Sequence, residues 1–271
     1  YTTIGNPVGQ LYGYKVIGMF NDESDFYKKD KNGNNVLDAN GERIPVALPK
    51  DVEMSVNGVW VGDFMYEDKN GDGKIDEEDR FYIGNPEPKF SFGINNNFSY
   101  KNFDLNIFLS GVYGNKIYNM LRQDFTNPMS NSGLLKEATR IAVIGLRDPE
   151  GSASDINNVY ITNPDASVQR IHVTDANTNN RMRDRFVDDG SSLRIMNISL
   201  GYTFPENLFS RFQLASLRVY INVQNPHPFT THSGYDPEFR TYTALLRHIE
   251  DARSHPLPIY PFGLNCSFLS Q

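Results

Sequence analysis

A short acidic segment, residues 68–79, carries the side chains of this chain that are best suited to chemistry. It reads Asp-Lys-Asn-Gly-Asp-Gly-Lys-Ile-Asp-Glu-Glu-Asp, with oxygen-bearing side chains at alternating positions and a closing aspartate. Carboxylates held this close together repel one another unless a cation is bound between them. The spacing matches the calcium-binding loop of EF-hand proteins, including a glycine, Gly73, at the position of the sharp turn.

The calcium-loop template assigns a ligand to each metal-facing position of this segment. We predict a structural calcium ion, with one ligand, Lys74, acting through its backbone carbonyl and with Ile75 anchoring the loop to apolar neighbours. The closing aspartate is shorter than the usual glutamate, which predicts a looser site suited to calcium-rich extracellular fluid. The alternative is a solvated acidic turn, because Asn-Gly and Asp-Gly form turns without metal. The predicted ligands are Asp68, Asn70, Asp72, Lys74, Asp76 and Asp79.

A second segment, residues 30–41, echoes the calcium-loop pattern without completing it. Asn35 replaces the glycine of the turn, and Gly41 replaces the closing acid. We therefore predict a hairpin-rich loop there and no metal site.

The residues around the acidic segment have the character of β-strands, whereas an EF-hand loop lies between helices. Residues 59–61 precede it and residues 80–84 follow it, and both are rich in β-branched or aromatic side chains. A calcium-type loop between strands would brace a long connection and have no catalytic part.

Alternation of apolar and polar residues recurs along the chain and predicts strands. Residues 90–100 and 103–110 alternate on either side of the two-residue turn Lys101-Asn102, which predicts a β-hairpin. The same pattern predicts four further strands, at residues 197–203, 217–224, 260–268 and 12–20.

The composition of the two faces favours an all-β transmembrane antiparallel β-barrel. The polar positions are mostly Asn, Ser, Gly and Thr, whereas the apolar positions are aromatic or aliphatic, as expected of a polar lumen and a lipid-facing wall. A soluble β-sandwich shares the alternation and is the alternative.

Long polar connections alternate with short ones, which predicts long extracellular loops and short periplasmic turns. The long connections are residues 21–88, 114–190 and 226–258; the short ones are residues 101–102 and 205–214.

Composition excludes several classes of function. The 271-residue chain has a formal net charge of -7 and no run of Lys or Arg, which argues against a nucleic-acid partner. Its single cysteine, Cys266, excludes an intrachain disulfide and falls on a predicted lipid-facing position. No apolar run is long enough for a spanning helix.

No motif predicts an enzyme. The sequence has no nucleophile elbow, P-loop or dinucleotide fingerprint. The five histidines fall in predicted loops without metal-ligand spacing and are expected to be solvated. They are His172, His227, His232, His248 and His255.

Aromatic residues fall into two groups. Phe98, Tyr100 and Phe103 lie beside the tight turn and fit an aromatic girdle at a membrane interface. Loop aromatics either stack on sugar rings or pack the loops together, so no substrate-contacting residue is assigned; these are Trp60, Tyr160 and Tyr242.

Seven segments of the chain, taken in their order along the sequence, resemble the C-terminal part of SusC/RagA-like TonB-linked outer-membrane transporters. Two segments depart from the family pattern: Leu269-Ser-Gln271 follow the last aromatic residue, and residues 226–230 interrupt the run before Gly234. The matching segments are residues 12–18, 62–73, 83–90, 189–202, 217–220 with 224–225, 234–238 and 262–268.

The resemblance implies a 22-stranded barrel, to which residues 1–271 would contribute about six C-terminal strands. The plug and N-terminal domain are expected to lie outside this sequence, which begins abruptly at Tyr1. The resemblance also implies TonB-dependent uptake of oligosaccharides or peptides with a SusD-like surface lipoprotein. The expected location is the outer membrane of a Gram-negative, Bacteroidetes-like cell, in contact with its lipid. The rivals are a secreted calcium-stabilised β-sandwich adhesin or glycan-binding module, and a passive porin.

Overall fold

The computed structural model describes Gly5 and residues 9–130, 133–205, 214–234, 236–237 and 257–268. Within these ranges the chain consists mainly of β-strands, with one α-helix, α1 (Met120–Thr126), and 3₁₀ helices at Glu23–Phe26, Glu77–Asp79, Lys136–Arg140 and Asp184–Phe186. The strands are β1 (Leu11–Gly13), β2 (Val16–Met19), β3 (Leu48–Pro49), β4 (Phe64–Tyr66), β5 (Lys74–Ile75), β6 (Phe81–Gly84), β7 (Phe90–Tyr100), β8 (Phe103–Tyr113), β9 (Lys116–Tyr118), β10 (Ile144–Leu146), β11 (Val159–Ile161), β12 (Val187–Asp189), β13 (Ser192–Phe204), β14 (Leu214–Gln224), β15 (Pro228–Thr230) and β16 (Phe262–Phe268).

Across the described residues, no helix combines the length and apolar character needed to cross a membrane.

The chain folds as two compact units, each built from two separate stretches of sequence. The first unit comprises residues 1–84 and 118–187, and the second comprises residues 85–117 and 188–271.

The second unit contains one large antiparallel sheet. Its strand order is β16-β14-β13-β8-β7, and the short β15 also pairs with β13. The predicted hairpin is confirmed, because β7 and β8 pair along their whole length from Phe90↔Tyr113 to Tyr100↔Phe103. Lys101 makes the turn with a φ of 53°. The strands predicted at residues 197–203, 217–224 and 260–268 are confirmed as β13, β14 and β16, whereas residues 206–213 of the predicted short link lie outside the described part.

The first unit shows that the predicted long polar connections, residues 21–88 and 114–190, contain folded structure of their own. Much of both stretches folds around a hydrophobic core of its own, in which the rings of Phe20 and Phe26 stack with centroids 4.1 Å apart. Alternation of residues did not reveal this core, because its side chains come from irregular segments. The buried core residues are Phe20, Phe26, Val59, Trp60, Val61 and Val159.

The strand predicted at residues 12–20 is wrong as a member of the large sheet. It is divided into β1, which pairs with β6, and β2, which pairs with β4, both within the first unit. The division falls at Tyr14, whose amide donates to Met182 O and whose carbonyl accepts from the Asp184 amide. Those bonds to a third segment replace the regular strand ladder at this point.

The β-structure predicted at residues 59–61 is also wrong. Val59 forms only an isolated bridge with Met54, and the segment continues into a turn. Val59 and Val61 are fully buried, so their β-branched side chains serve the core and not a strand.

A buried ion pair closes the first unit around this turn. The Arg170 guanidinium donates to the Asp63 carboxylate at 3.0 and 3.1 Å and to the carbonyls of Val56 and Gly58, both at 3.0 Å. Asn179 adds a hydrogen bond to the same carboxylate at 3.1 Å. Burial raises the pKa of Asp63, and the bonds from Arg170 oppose this rise.

Candidate functional site

The acidic segment lies among short β-strands, although the strand before it is β4 and not the predicted residues 59–61. It follows β4, contains β5 and the 3₁₀ helix Glu77–Asp79, and leads directly into β6. Ile75 is buried beside Tyr14, Phe64 and Tyr66, which confirms its predicted anchoring role.

Backbone amides occupy the side chains in the first half of the segment. The two carboxylate oxygens of Asp68 accept from the amides of Gly71 at 2.7 Å and Gly73 at 3.0 Å. Asn70 Oδ1 accepts from the Asp72 amide at 3.0 Å, and Asp72 Oδ1 accepts from the Lys74 amide at 2.9 Å. These bonds fold the segment into successive turns, in which side-chain oxygens take the place of backbone acceptors.

Asp79 joins the two ends of the segment. It is fully buried, and its two oxygens accept from the amides of Lys69 at 2.9 Å and Asp76 at 2.8 Å. Asp76 in turn caps the 3₁₀ helix by accepting from the Glu78 amide at 2.9 Å. Asp79, the last acidic residue of the segment, therefore stabilises the loop by bonding both of its ends.

The predicted ligands share one loop, but their oxygens turn toward the loop's own amides. Among the described residues, no group of three or more His, Cys, Asp or Glu side chains is arranged to hold a metal ion. These hydrogen bonds are compatible with the acidic turn that is the alternative. A carboxylate oxygen that accepts one hydrogen bond keeps a second lone pair, so the donor set is chemically compatible with calcium. The calcium ion stays a prediction.

The second segment, residues 30–41, is a hairpin-rich loop, as predicted. Isolated bridges join Lys29 to Asn35 and Leu37 to Arg43. Asp30 and Asp38 each accept hydrogen bonds from two amides of their own turns.

The large sheet of the second unit presents an apolar face. The strand register places its apolar side chains opposite one another across five strands. Many are strongly exposed, with Tyr100 at 70% and Phe262 at 72%. Cys266 is also exposed on this face, beside Leu217 in the register. The face comprises Phe90, Phe92, Ile94, Phe98, Tyr100, Phe103, Leu105, Ile107, Leu109, Ile198, Leu200, Tyr202, Leu217, Val219, Ile221, Val223, Phe262, Leu264 and Cys266.

The opposite face of the same sheet is polar and joined by hydrogen bonds between strands. Asn106 donates to Asn95 at 2.7 Å and to Asn97 at 2.6 Å, and Asn197 donates to Asn106 at 3.2 Å. These amides form a row across β7, β8 and β13, where the sequence predicts a polar wall.

An ion pair on the polar face was missed from the sequence. Arg218 of β14 donates to Asp104 of β8 at 2.9 Å, although β13 lies between these strands. The side chains meet above Gly201, where an added Cβ would lie 2.3 Å from Arg218 and 2.5 Å from Asp104. The available signal was a glycine opposite Asp104 in the register, which requires knowledge of the strand pairing.

The loop aromatics have packing roles where the structure describes them. Trp60 lies in the core of the first unit with 4% exposure, so it is not available to stack on a sugar. Tyr160 is half-buried in β11, with Arg147 over its ring at 5.2 Å. Tyr242 lies outside the described residues.

The expectation that the histidines are solvated is wrong for His232. Its side chain is buried and lies 3.0 Å from the carboxylate of Asp188. His227 is exposed, and His172 is half-buried beside Thr174. His248 and His255 lie outside the described residues, as do Tyr235, Glu238 and residues 269–271.

Comparison with known proteins gives relatives in one class, although no family model matches the chain. The chain is 29% identical over 234 residues to TonB-dependent receptor P3 of Formosa agariphila, covering 86% of this chain and 19% of that protein. It is 27% identical over 278 residues to TonB-dependent receptor P39 of the same organism, covering 97% and 25%. It is 29% identical over 179 residues to TonB-dependent receptor SusC of Bacteroides thetaiotaomicron, covering 65% and 15%. The chain thus spans a quarter or less of these relatives.

Solved structures agree at the level of the fold. A structure of the RagAB peptide transporter matches with a TM-score of 0.57 and 15% identity, over 96% of this chain and 23% of that chain. The RagAB peptide importer in the open-open state matches with a TM-score of 0.55 and 14% identity, over 99% and 24%. Together with the sequence relatives, these structures confirm that the chain resembles the SusC/RagA-like TonB-linked outer-membrane transporters.

Proposed function

We propose that this chain is part of an outer-membrane importer, in which the large sheet of the second unit is a segment of a transmembrane β-barrel. The observation that carries the proposal is the division of one sheet into an exposed apolar face and a hydrogen-bonded polar face. A membrane barrel needs this arrangement, with its apolar face toward lipid and its polar face toward the lumen.

The cost of leaving the apolar face in water supports a lipid environment. Removing one large apolar side chain from water gains about 1.5–3 kcal/mol, and this face carries many of them. Exposed apolar patches of this extent occur where a membrane or another protein covers them. Phe98, Tyr100 and Phe103, all more than half exposed, would form part of the aromatic girdle at the end of the hairpin.

The relatives support the rest of the proposal. They are named TonB-dependent receptors, and the structural neighbours are named as a peptide importer. We infer TonB-dependent uptake of oligosaccharides or peptides together with a SusD-like surface lipoprotein, at the outer membrane. In this proposal the chain is not an enzyme. The acidic loop of residues 68–79 binds calcium as a structural brace on the extracellular side.

Extraction and heat modification test the barrel. The whole parent protein, extracted in detergent, is expected to migrate differently on a gel before and after boiling, because a closed barrel resists detergent until it is heated. A parent protein that is fully soluble without detergent would instead support a secreted β-sandwich adhesin or glycan-binding module.

Energised uptake is tested separately in cells that carry the parent gene. Uptake of oligosaccharide or peptide is expected to stop when TonB or the SusD-like lipoprotein is deleted. Uptake that continues without TonB would support a passive porin.

A further inference from the structure

An open cleft of about 380 Å³ lies within the first unit, beside the acidic loop. Its lining includes Ile75, Asp76 and Glu77 from the end of that loop, together with Thr178 and Arg181. Its volume is within the range of pockets that hold small molecules.

Two arginines of the cleft share one aromatic ring. The guanidinium carbon of Arg181 lies 4.4 Å from the ring centroid of Tyr14, and that of Arg80 lies 5.8 Å from it. Tyr14 is buried, so its ring is a fixed support for both cations.

Hydrogen bonds hold the Arg181 guanidinium in position without using all of its N–H groups. Its Nε donates to the Thr178 carbonyl at 3.0 Å, and one terminal nitrogen donates to the Asn177 carbonyl at 2.7 Å. A guanidinium carries five N–H donors, so these bonds orient the group without using all of them. A positioned guanidinium is suited to a planar carboxylate.

The charge balance of the cleft also favours an anion. Arg80 is paired with Glu77 at 3.0 Å, and Asp76 caps the adjacent 3₁₀ helix. The side chains that line the cleft carry three positive charges, on Lys50, Arg80 and Arg181, and two negative charges, on Asp76 and Glu77, so one positive charge is left over. Lys50 is exposed, which makes it accessible to a ligand.

Apolar side chains line the remaining surface. Pro49, Val52 and Ile75 line the cleft, and Ile75 belongs to the same apolar cluster as Tyr14. The cleft thus offers a charged region and an apolar region next to each other, which suits a compact ligand that carries one acid group on a ring or side chain.

We infer that this cleft binds a carboxylate-bearing small ligand, with Arg181 and Lys50 contacting the carboxylate and the apolar lining at Val52 packing against the ligand body. The carboxylate can belong to an acidic sugar or to an acidic peptide residue, since both present the same planar anion. The inference adds a ligand site to the proposed importer, but it stands on the chemistry of the cleft alone.

Binding to the purified parent protein in detergent tests the inference. The probes are D-glucuronate with D-glucose as its neutral counterpart, and N-acetyl-aspartate amide with N-acetyl-asparagine amide as its neutral counterpart. Saturation-transfer NMR and a titration give the affinities. At least one acidic probe is expected to bind more tightly than its neutral counterpart, and salt is expected to weaken that binding. Preference for glucuronate or for the aspartyl probe identifies the source of the carboxylate.

Matched variants connect the binding to the cleft. Arg181→Gln and Lys50→Glu are each expected to weaken binding of the acidic probe about tenfold, because each removes a charge-assisted contact. Lys31→Gln is the control, because Lys31 is exposed in the hairpin-rich loop, away from the residues that line the cleft. Arg181 also packs on the ring of Tyr66, so Arg181→Gln can disturb folding. In that case Lys50→Glu tests the ligand site by itself.

Two results would overturn the inference: no preference for either acidic probe, or binding that both cleft variants leave unchanged. Transport gives an independent readout. Uptake without probe binding would reject the cleft as a ligand site and still support the proposed importer. Probe binding without uptake would support the ligand site and reject the importer.

Discussion

Arg170 donates two hydrogen bonds to the carboxylate of Asp63, a residue 107 positions earlier in the chain. Both side chains are buried, at 6% and 1% exposure. The bond joins the two sequence stretches of the first unit and organises the turn that carries Trp60, whose amide donates to Asp63 at 2.8 Å. Regions that appear to be loops in the sequence are thus held together by a specific buried contact.

Breaking this pair should loosen the first unit. Asp63→Ala leaves the Arg170 guanidinium buried without its partner, so we expect a loss of about 3–5 kcal/mol in the stability of that unit. The measurement is the rate of limited proteolysis within residues 118–187 of the extracted parent protein. Lys15→Gln, which removes an exposed partner of Glu67, is the control and should change this rate little. Equal rates in both variants would contradict the assigned role.

Glu137 should give the first unit an acid-sensitive contribution to its stability. Hydrogen bonds from Arg122 and Arg185 lower its pKa from 4.5 to about 2. Because the pKa of the folded state is the lower one, the contribution is complete above about pH 4.5 and is lost as the pH falls toward 2. The difference in protease resistance between the parent protein and Glu137→Gln, measured from pH 6 to pH 3, should shrink as the pH falls. A constant difference would exclude this linkage.

The two faces of the large sheet should differ in their tolerance of charge. Leu200→Lys places an ammonium on the apolar face, and we expect a cost of about 2–4 kcal/mol if this position lies near the bilayer midplane. Ser199→Lys places the same group one residue away on the polar face and serves as the control. The measurement is the amount of heat-modifiable protein recovered from the outer membrane. Equal recovery of the two variants would argue against lipid on the apolar face.

Gly201 should be intolerant of a side chain, because the ion pair between Asp104 and Arg218 passes over it. Gly201→Ala would place a Cβ 2.3 Å from Arg218, and we expect a destabilisation of about 1–3 kcal/mol from overpacking. Gly93→Ala is the matched control on β7, where the nearest atom, Cε2 of the Phe108 ring, is 3.3 Å away. Midpoints of heat modification measure the effect. Similar midpoints for both variants would show that the ion pair can move aside.

Calcium should protect the acidic loop from proteolysis if the metal prediction holds. Millimolar calcium is expected to slow cleavage within residues 68–79, and Asp72→Asn should weaken this protection. That variant removes a charge but keeps an oxygen that can accept from the Lys74 amide, so the turn itself is preserved. Asp38→Asn in the hairpin-rich loop is the control. Cleavage that is independent of calcium would leave the segment as an acidic turn.

The sequence by itself determined the five long strands of the large sheet and the polar or apolar character of their faces, but not the short β15, which lies in the predicted connection of residues 226–258. Alternation is a local property, since successive side chains of a strand point to opposite sides, and residues 90–110 therefore predict both the hairpin and its two faces. The ordered landmarks also determined the resemblance to the transporter family, which the relatives confirm.

Only the tertiary structure decided which residues meet across the chain. It placed Trp60 in a core, divided residues 12–20 between two small sheets, and brought Arg218 to Asp104 over Gly201. It also turned the oxygens of residues 68–79 toward their own amides and placed that loop beside the cleft of Arg181. These relationships depend on pairings between distant segments. Local periodicity does not encode such pairings, because each one follows from how the whole chain packs.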